Sequence, residues 1–288
     1  MNEVPEFHSW GAHKIGTAVG GGVIDLTART QMSDLGAALR TLGADKLHTI
    51  AANSQADFSL EDVKTWRPAV ADSSLIACVG LNYEEHRIEA GRARTSQPTI
   101  FLRLAASQAG HLQPILVPAE EPQGLDYEAE IAVVIGRGGR RIRPEQAWNH
   151  VFGLSCYNDA SARQWQAHST QWAPGKNFPS TGGFGPFVET NTAITQSILT
   201  LETRLNGAVL QHADTSMMIF SIPDLISYVS TFTPLSPGDV IVTGTPGGVG
   251  FKRVPPIFMR PGDEVEVEVS GIGVLRNPIH ADKLDGSE

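Results

Sequence analysis

The segment Leu125-Asp126-Tyr127-Glu128-Ala129-Glu130 leads directly into the apolar run Ile131-Ala132-Val133-Val134-Ile135-Gly136. Side chains alternate along a strand, so Glu128 and Glu130 project from one face. They do so at the start of a run of the kind buried on both faces. Two carboxylates placed there repel each other and lose hydration. A divalent cation removes that cost, and a hard ion such as Mg²⁺ takes oxygen ligands. The competing arrangement is an exposed strand end whose glutamates pair with Arg140, Arg141 or Arg143. A third carboxylate, Asp159, stands in Asn158-Asp159-Ala160-Ser161-Ala162-Arg163, after a second apolar run from Val151 to Tyr157. Alone, an aspartate there is a turn former or helix cap. Two strands ending in one cleft would bring it to Glu128 and Glu130. Three carboxylates with no histidine nearby favour Mg²⁺ or Mn²⁺ over Zn²⁺.

Three further patterns bear on chemistry. In Asn82-Tyr83-Glu84-Glu85-His86-Arg87-Ile88-Glu89 a helix would put His86 and Glu89 on one face. A carboxylate beside an imidazole orients it and raises its basicity, which makes a general base. The same spacing also fits a solvated surface helix. Pro174-Gly175-Lys176-Asn177-Phe178 offers a lysine that could hold an anionic substrate or simply face water. It is no phosphate loop, because Thr170 stands where glycine is needed and no Ser or Thr follows the lysine. In Thr243-Gly244-Thr245-Pro246-Gly247-Gly248-Val249-Gly250 the glycines permit either close backbone approach to a ligand or a plain tight turn.

The elements that must hold these residues are mostly strands. Strands are expected over 75–80, 99–102, 130–136, 151–157, 200–206, 239–243 and 264–269. In the last, Val265, Val267 and Val269 alternate with Glu264, Glu266 and Glu268, so one face is acidic and solvated. Helices are expected to begin near Tyr83, over 144–150, and over 223–230 with Ser221 as N-cap. Residues 1–70 read as a small separate unit: two short strands about Gly20-Gly21-Gly22, and a helix from Leu35 to Leu42 ending at Gly43. A second domain is expected over 74–288.

The chain has 288 residues, 41% of them hydrophobic and 18% charged, an ordinary globular balance. Its net charge of −9 argues against nucleic-acid or anionic-membrane surfaces. Two cysteines, Cys78 and Cys156, make neither a disulfide framework nor a four-thiolate zinc site, and their apolar neighbours predict burial. No apolar run approaches the ~20 residues of a membrane span, and a cytoplasmic protein is expected.

These segments together resemble the fumarylacetoacetate hydrolase family. The resemblance runs, in order, through Val79-Gly80-Leu81-Asn82-Tyr83, Asp126-Tyr127-Glu128-Ala129-Glu130, Asn158 to Arg163, Gly175-Lys176-Asn177-Phe178, Pro237-Gly238-Asp239-Val240-Ile241, Thr243-Gly244-Thr245-Pro246 and Leu275-Arg276-Asn277-Pro278. It covers residues 75–279, and the first seventy residues resemble the small N-terminal domain of longer members. It implies an α+β, strand-rich fold with a mixed β-roll catalytic domain, and a homodimer. It assigns the metal role, for Mg²⁺ or Mn²⁺, to Glu128, Glu130 and Asp159. It gives a catalytic dyad on a lid helix to His86 and Glu89, and substrate contacts to Arg163, Gln166, Lys176 and Thr245. One departure is Phe101-Leu102-Arg103-Leu104, where members often carry Phe-Leu-Lys-Pro. An arginine presents a planar fork in place of a compact ammonium.

The expected activity is metal-dependent hydrolysis of a carbon–carbon bond in an acylpyruvate-type 2,4-dioxo acid from aromatic catabolism. In that scheme His86 activates water and Lys176 and Thr245 assist anionic oxygens. The same metal–enolate chemistry serves a tautomerase or an oxaloacetate decarboxylase, the second expectation. A non-catalytic binder of small acids needs no dyad, and a phosphohydrolase lacks its phosphate loop here.

Overall fold

The computed structural model describes residues 3–4, 6–9 and 12–282, and side chains from His13 onward. Its strands form two sheets. The larger has thirteen strands. Its path runs from Phe58–Ser59 through Gly22–Asp25, Ala12–Val19, Glu3–Val4, Gly182–Glu189, Val151–Asp159, Ala129–Ile135, Val240–Val242 and Ile76–Gly80 to the edge strand Thr99–Arg103. The five-stranded sheet runs Ile115–Val117, Gly273–Ala281, Glu264–Val269, Thr200–Leu205, Ala208–Asp214. Pairing is mixed: Val240–Val242 is antiparallel to Ala129–Ile135 but parallel to Ile76–Gly80. The fold is the strand-rich α+β arrangement expected from the sequence.

Every residue of Ala129–Ile135 is buried. Alternation divides it between two cores. Ala129, Ile131, Val133 and Ile135 pack with Leu225, Ile226 and Val229 of the helix Ile222–Phe232. Ala132 and Val134 face a second core with Ile15, Ile24, Leu35 and Leu39. That second core is filled from residues below 70, and Val4 pairs with Val188 across the large sheet. Residues of the N-terminal segment are therefore hydrogen-bonded to, and packed against, the later strands.

Local chemistry explains the small elements. Gly20 and Gly21, at φ of 58° and 84°, form the two-residue turn between Ala12–Val19 and Gly22–Asp25, where positive φ matches strand twist. Asp34 caps Leu35–Leu42 through the Ala37 N–H at 2.6 Å. Ser221 and Asp224 cap Ile222–Phe232 reciprocally. The segment Pro144–His150 departs from the expected α-helix and winds as a 3₁₀ helix. Only Ala147 is buried there, so no apolar stripe at 3.6-residue spacing holds an α-helix. The acidic face of Glu264–Val269 is solvent-side but laced by arginines: Arg204 pairs with Glu266 and Glu268, and Arg276 with Glu264 and Glu266. Cys78 and Cys156 are buried free thiols. No helix among the described residues is long and apolar enough to cross a membrane.

Candidate active site

Strand register assembles the carboxylates. Ala129 pairs with Asn158 and Glu130 with Tyr157, which sets Glu128 opposite Asp159. The Asp159 N–H donates to the Glu128 carbonyl at 2.9 Å. Directly opposed residues point to one side of an antiparallel pair, so Asp159, Glu128 and Glu130 converge. Ligand oxygens of the three lie within 4.8 Å of one another, and all three residues are buried. Asp126, two residues before Glu128 on the same alternation, is buried as well.

Two buried cations, Lys176 and Arg103, and the partly buried Arg163 face these four acids. The Lys176 ammonium donates to Glu128 Oε2 at 2.7 Å, Asp159 Oδ2 at 2.6 Å and the Asp159 carbonyl at 3.2 Å. Arg103 reaches Asp159 Oδ1 at 2.5 Å and Thr181 Oγ1 at 2.7 Å. Arg163 bridges Asp126 at 2.8 Å and Glu128 at 2.7 Å. Burial opposes charge on Glu128, but Lys176 and Arg163 outweigh it and hold that carboxyl below its ordinary value. Glu130 differs. It accepts the Gly244 N–H at 2.6 Å, and no cation pairs with it among the described residues. Burial, Asp159 and Glu128 push its carboxyl well above the usual range. Glu130 thus completes a cage of carboxylate oxygens with no cation paired to it. That donor set fits a hard divalent cation.

Glycine makes two of these contacts possible. Gly244 has φ of 95°, and a Cβ there would meet Val79 O at 2.8 Å and the Asn82 Cβ at 2.7 Å. Its N–H can therefore approach Glu130 only from glycine. A Cβ on Gly175 would fall 2.4 Å from the Gln166 nitrogen, so glycine lets the turn before Lys176 lie against the helix Arg163–Gln166.

Glu128 and Glu130 open on a cavity of about 420 Å³, also lined by His86, Arg163, Gln166, Lys176 and Thr245. His86 lies on the helix Glu84–Glu89, is 6% exposed, and has Nδ1 3.5 Å from Glu89 Oε2. The Gly248 N–H donates to Glu89 at 3.2 Å. Burial opposes the Glu89 charge, yet His86 and the Gly248 N–H bring its carboxyl below the ordinary value. Gln166 accepts from Arg163 at 2.8 Å. Of the residues named from the sequence, His86, Glu128, Glu130, Arg163, Gln166, Lys176 and Thr245 line this cavity, while Asp159 and Glu89 stand behind it, joined to Lys176 and His86. Lys176 is spent on the acids, because its three short contacts match its three protons.

Sequence reasoning missed several participants. Asp126 receives the Gly250 N–H at 2.6 Å and the Phe251 N–H at 3.1 Å besides Arg163, tying the glycine-rich loop to the site. Its signal was available: 126, 128 and 130 share one alternation. Arg103 was noticed only as a departure, and its partner lies 56 residues away. Phe101, Trp172 and Phe251 form apolar walls, and exposed Arg92 and Lys252 stand at the cavity's solvent side. No local pattern marks these five.

Residues 75–280 match the family model described as fumarylacetoacetate (FAA) hydrolase, C-terminal. An oxaloacetate tautomerase, mitochondrial, of Xenopus laevis is 36% identical over 269 residues, covering 90% of this chain and 83% of that protein. Oxaloacetate tautomerase YisK of Bacillus subtilis is 40% identical over 225 residues, covering 77% and 75%. Among solved structures, a putative HpcE protein from Mycobacterium smegmatis superposes with a TM-score of 0.86 at 30% identity, covering 98% of this chain and 100% of that one. A probable 2-hydroxyhepta-2,4-diene-1,7-dioate isomerase from Mycobacterium abscessus gives 0.82 at 28%, covering 99% and 100%.

Proposed function

As the chain belongs to the fumarylacetoacetate hydrolase family, we propose that it moves a proton between carbon and oxygen of a small 2-oxo acid, interconverting the keto and enol forms of oxaloacetate. Carbon–carbon hydrolysis is the first expectation from sequence and tautomerisation the second. The relatives named above favour the second. The observation that carries the reading is His86, backed by Glu89, opening on the same cavity as Glu128 and Glu130.

Enolisation needs a base at C3 and a stabilised oxygen at C2. With the Nδ1 proton toward Glu89, the His86 Nε2 is free to take a proton from carbon and return it. Glu89 favours the imidazolium that forms meanwhile. Arg163 and Thr245 line the cavity where an oxygen gains charge. Arg92 and Lys252 add positive charge at the cavity's solvent side, which suits an acid with two carboxylates. The walls Phe101, Trp172 and Phe251 keep water from competing. Glu128, Glu130 and Asp159 would hold a Mg²⁺- or Mn²⁺-type ion, which supplies Lewis acidity toward the 2-oxo carbonyl.

The test follows enol absorbance of oxaloacetate with and without chelator, with pyruvate quantified by mass and an acylpyruvate run in parallel. The expected outcome is chelator-sensitive loss of enol absorbance without pyruvate. Cleavage of the acylpyruvate, with oxaloacetate untouched, would return the reading to hydrolysis.

A further inference from the structure

Gln211 lies on the strand Ala208–Asp214, behind the cavity wall and outside the residues assigned so far. It is 1% exposed, and all four of its hydrogen bonds are made inside the protein. Its Oε1 accepts the Ala129 N–H at 3.0 Å and the Thr203 hydroxyl at 2.7 Å. Its Nε2 donates to the Pro246 carbonyl at 3.0 Å and to Thr245 Oγ1 at 2.9 Å.

Two of these partners have one role only. A backbone N–H must donate, and a backbone carbonyl must accept. Ala129 and Pro246 therefore fix which end of the Gln211 amide is oxygen and which is nitrogen. The Thr245 hydroxyl then receives a proton and cannot give its own to Gln211. No acceptor for the Thr245 proton occurs among the described hydrogen bonds, and Thr245 lines the cavity. The proton is left to a ligand.

We propose that Gln211 is a positioning residue that sets the Thr245 hydroxyl as a hydrogen-bond donor to an anionic oxygen of the bound oxo acid. The same amide holds Ala129, the residue between Glu128 and Glu130, so it ties the donor to the strand carrying two of the carboxylates. The proposal rests on the functional reading above for its ligand class. Its logic is one of direction: a hydroxyl that accepts from the protein, and meets no acceptor there, keeps its proton for the ligand.

Gln211→Glu tests this directly. A carboxylate is nearly isosteric and still accepts from Ala129 and Thr203, but while ionised it has no proton for Thr245 or for the Pro246 carbonyl. Thr245 then donates toward position 211 and presents lone pairs to the ligand. The probes are oxalate, which mimics a 2-oxo carboxylate head group, titrated calorimetrically with Mg²⁺ present, and kcat/KM for oxaloacetate. Gln211→Glu is expected to weaken oxalate and lower kcat/KM about tenfold in the otherwise native protein. In a Thr245→Val background it should cost less than twofold, since the hydroxyl it acts through is gone. In a Thr245→Ser background the tenfold loss should return. Unfolding midpoints of each variant identify loss of fold. Equal losses in all three backgrounds, or no loss in the native one, overturn the proposal. Tight oxalate binding that follows this pattern without oxaloacetate turnover would sink the tautomerase reading and leave the positioning role standing. A native protein that binds no oxalate and converts no oxaloacetate overturns both.

Discussion

Glu130 sits among acids with a backbone N–H as its support, while Glu128 and Asp159 share Lys176. A buried carboxylate without a counter-charge costs stability unless it is protonated or joined by a cation. Glu130→Gln is therefore expected to stabilise the ion-free protein by about 1–2 kcal/mol. It should also weaken Mn²⁺ binding at least tenfold, flattening the rise in unfolding midpoint that Mn²⁺ gives the native protein. Thermal unfolding with and without Mn²⁺ checks both; a variant stabilised by Mn²⁺ as strongly as the native chain contradicts the assignment. At this scale the sequence was informative where geometry is local. Alternation alone put Glu128 and Glu130 on one face. It said nothing of Arg103 or Gln211, because their partners come from strands remote in the chain and a buried guanidinium or amide leaves no periodic trace.

The helix Glu84–Glu89 is too short to be stable alone, and its N-cap, Tyr83, makes no side-chain cap. Asn82 holds its start. Its amide donates to the Thr243 carbonyl at 2.7 Å and the Phe220 carbonyl at 3.0 Å, and accepts the Phe220 N–H at 2.8 Å. Asn82→Ala leaves these buried groups unpaired and is expected to cost about 2–4 kcal/mol. With His86 no longer fixed over the cavity, kcat should fall on the order of tenfold or more. Urea unfolding and steady-state kinetics report the two effects; an unchanged kcat would mean that the helix is positioned otherwise. The H-x-x-E spacing was legible as a helical pair, but its meaning was not, since the same spacing serves a solvated face. What decides is the Thr243–Gly250 loop, whose Gly248 N–H meets Glu89 from 159 residues away.

Across the whole molecule the described strands of the N-terminal segment and the later strands share one sheet and one core, which spacing along the chain could not reveal. Their turn and cap chemistry was legible because each signal is local: two glycines with positive φ, an aspartate three residues before an N–H. His111 marks one junction. It stacks edge-on against Trp66 from the N-terminal segment and accepts the Arg276 N–H from the five-stranded sheet at 3.1 Å. Burial, with Arg276 nearby, lowers its pKa to about 4. In the unfolded chain it returns to about 6.5. The unfolded state thus binds the extra proton between those values, so this contribution is complete above pH 6.5 and is lost as pH falls toward 4. Between pH 7 and 5 it amounts to about 2 kcal/mol. The pH-dependent fall in unfolding free energy should shrink by that amount in His111→Gln, and an undiminished fall would place the proton elsewhere.

The central claim is that His86 exchanges a proton with carbon next to a 2-oxo group. Incubating oxaloacetate in D₂O with the Mg²⁺-supplied protein, and following C3 by NMR, tests it most directly. The native protein is expected to accelerate deuterium entry at C3, while His86→Ala, still binding the divalent ion, should lose about 10²–10⁴-fold of that rate. Exchange no faster than in buffer, or equal exchange in His86→Ala, would contradict the account.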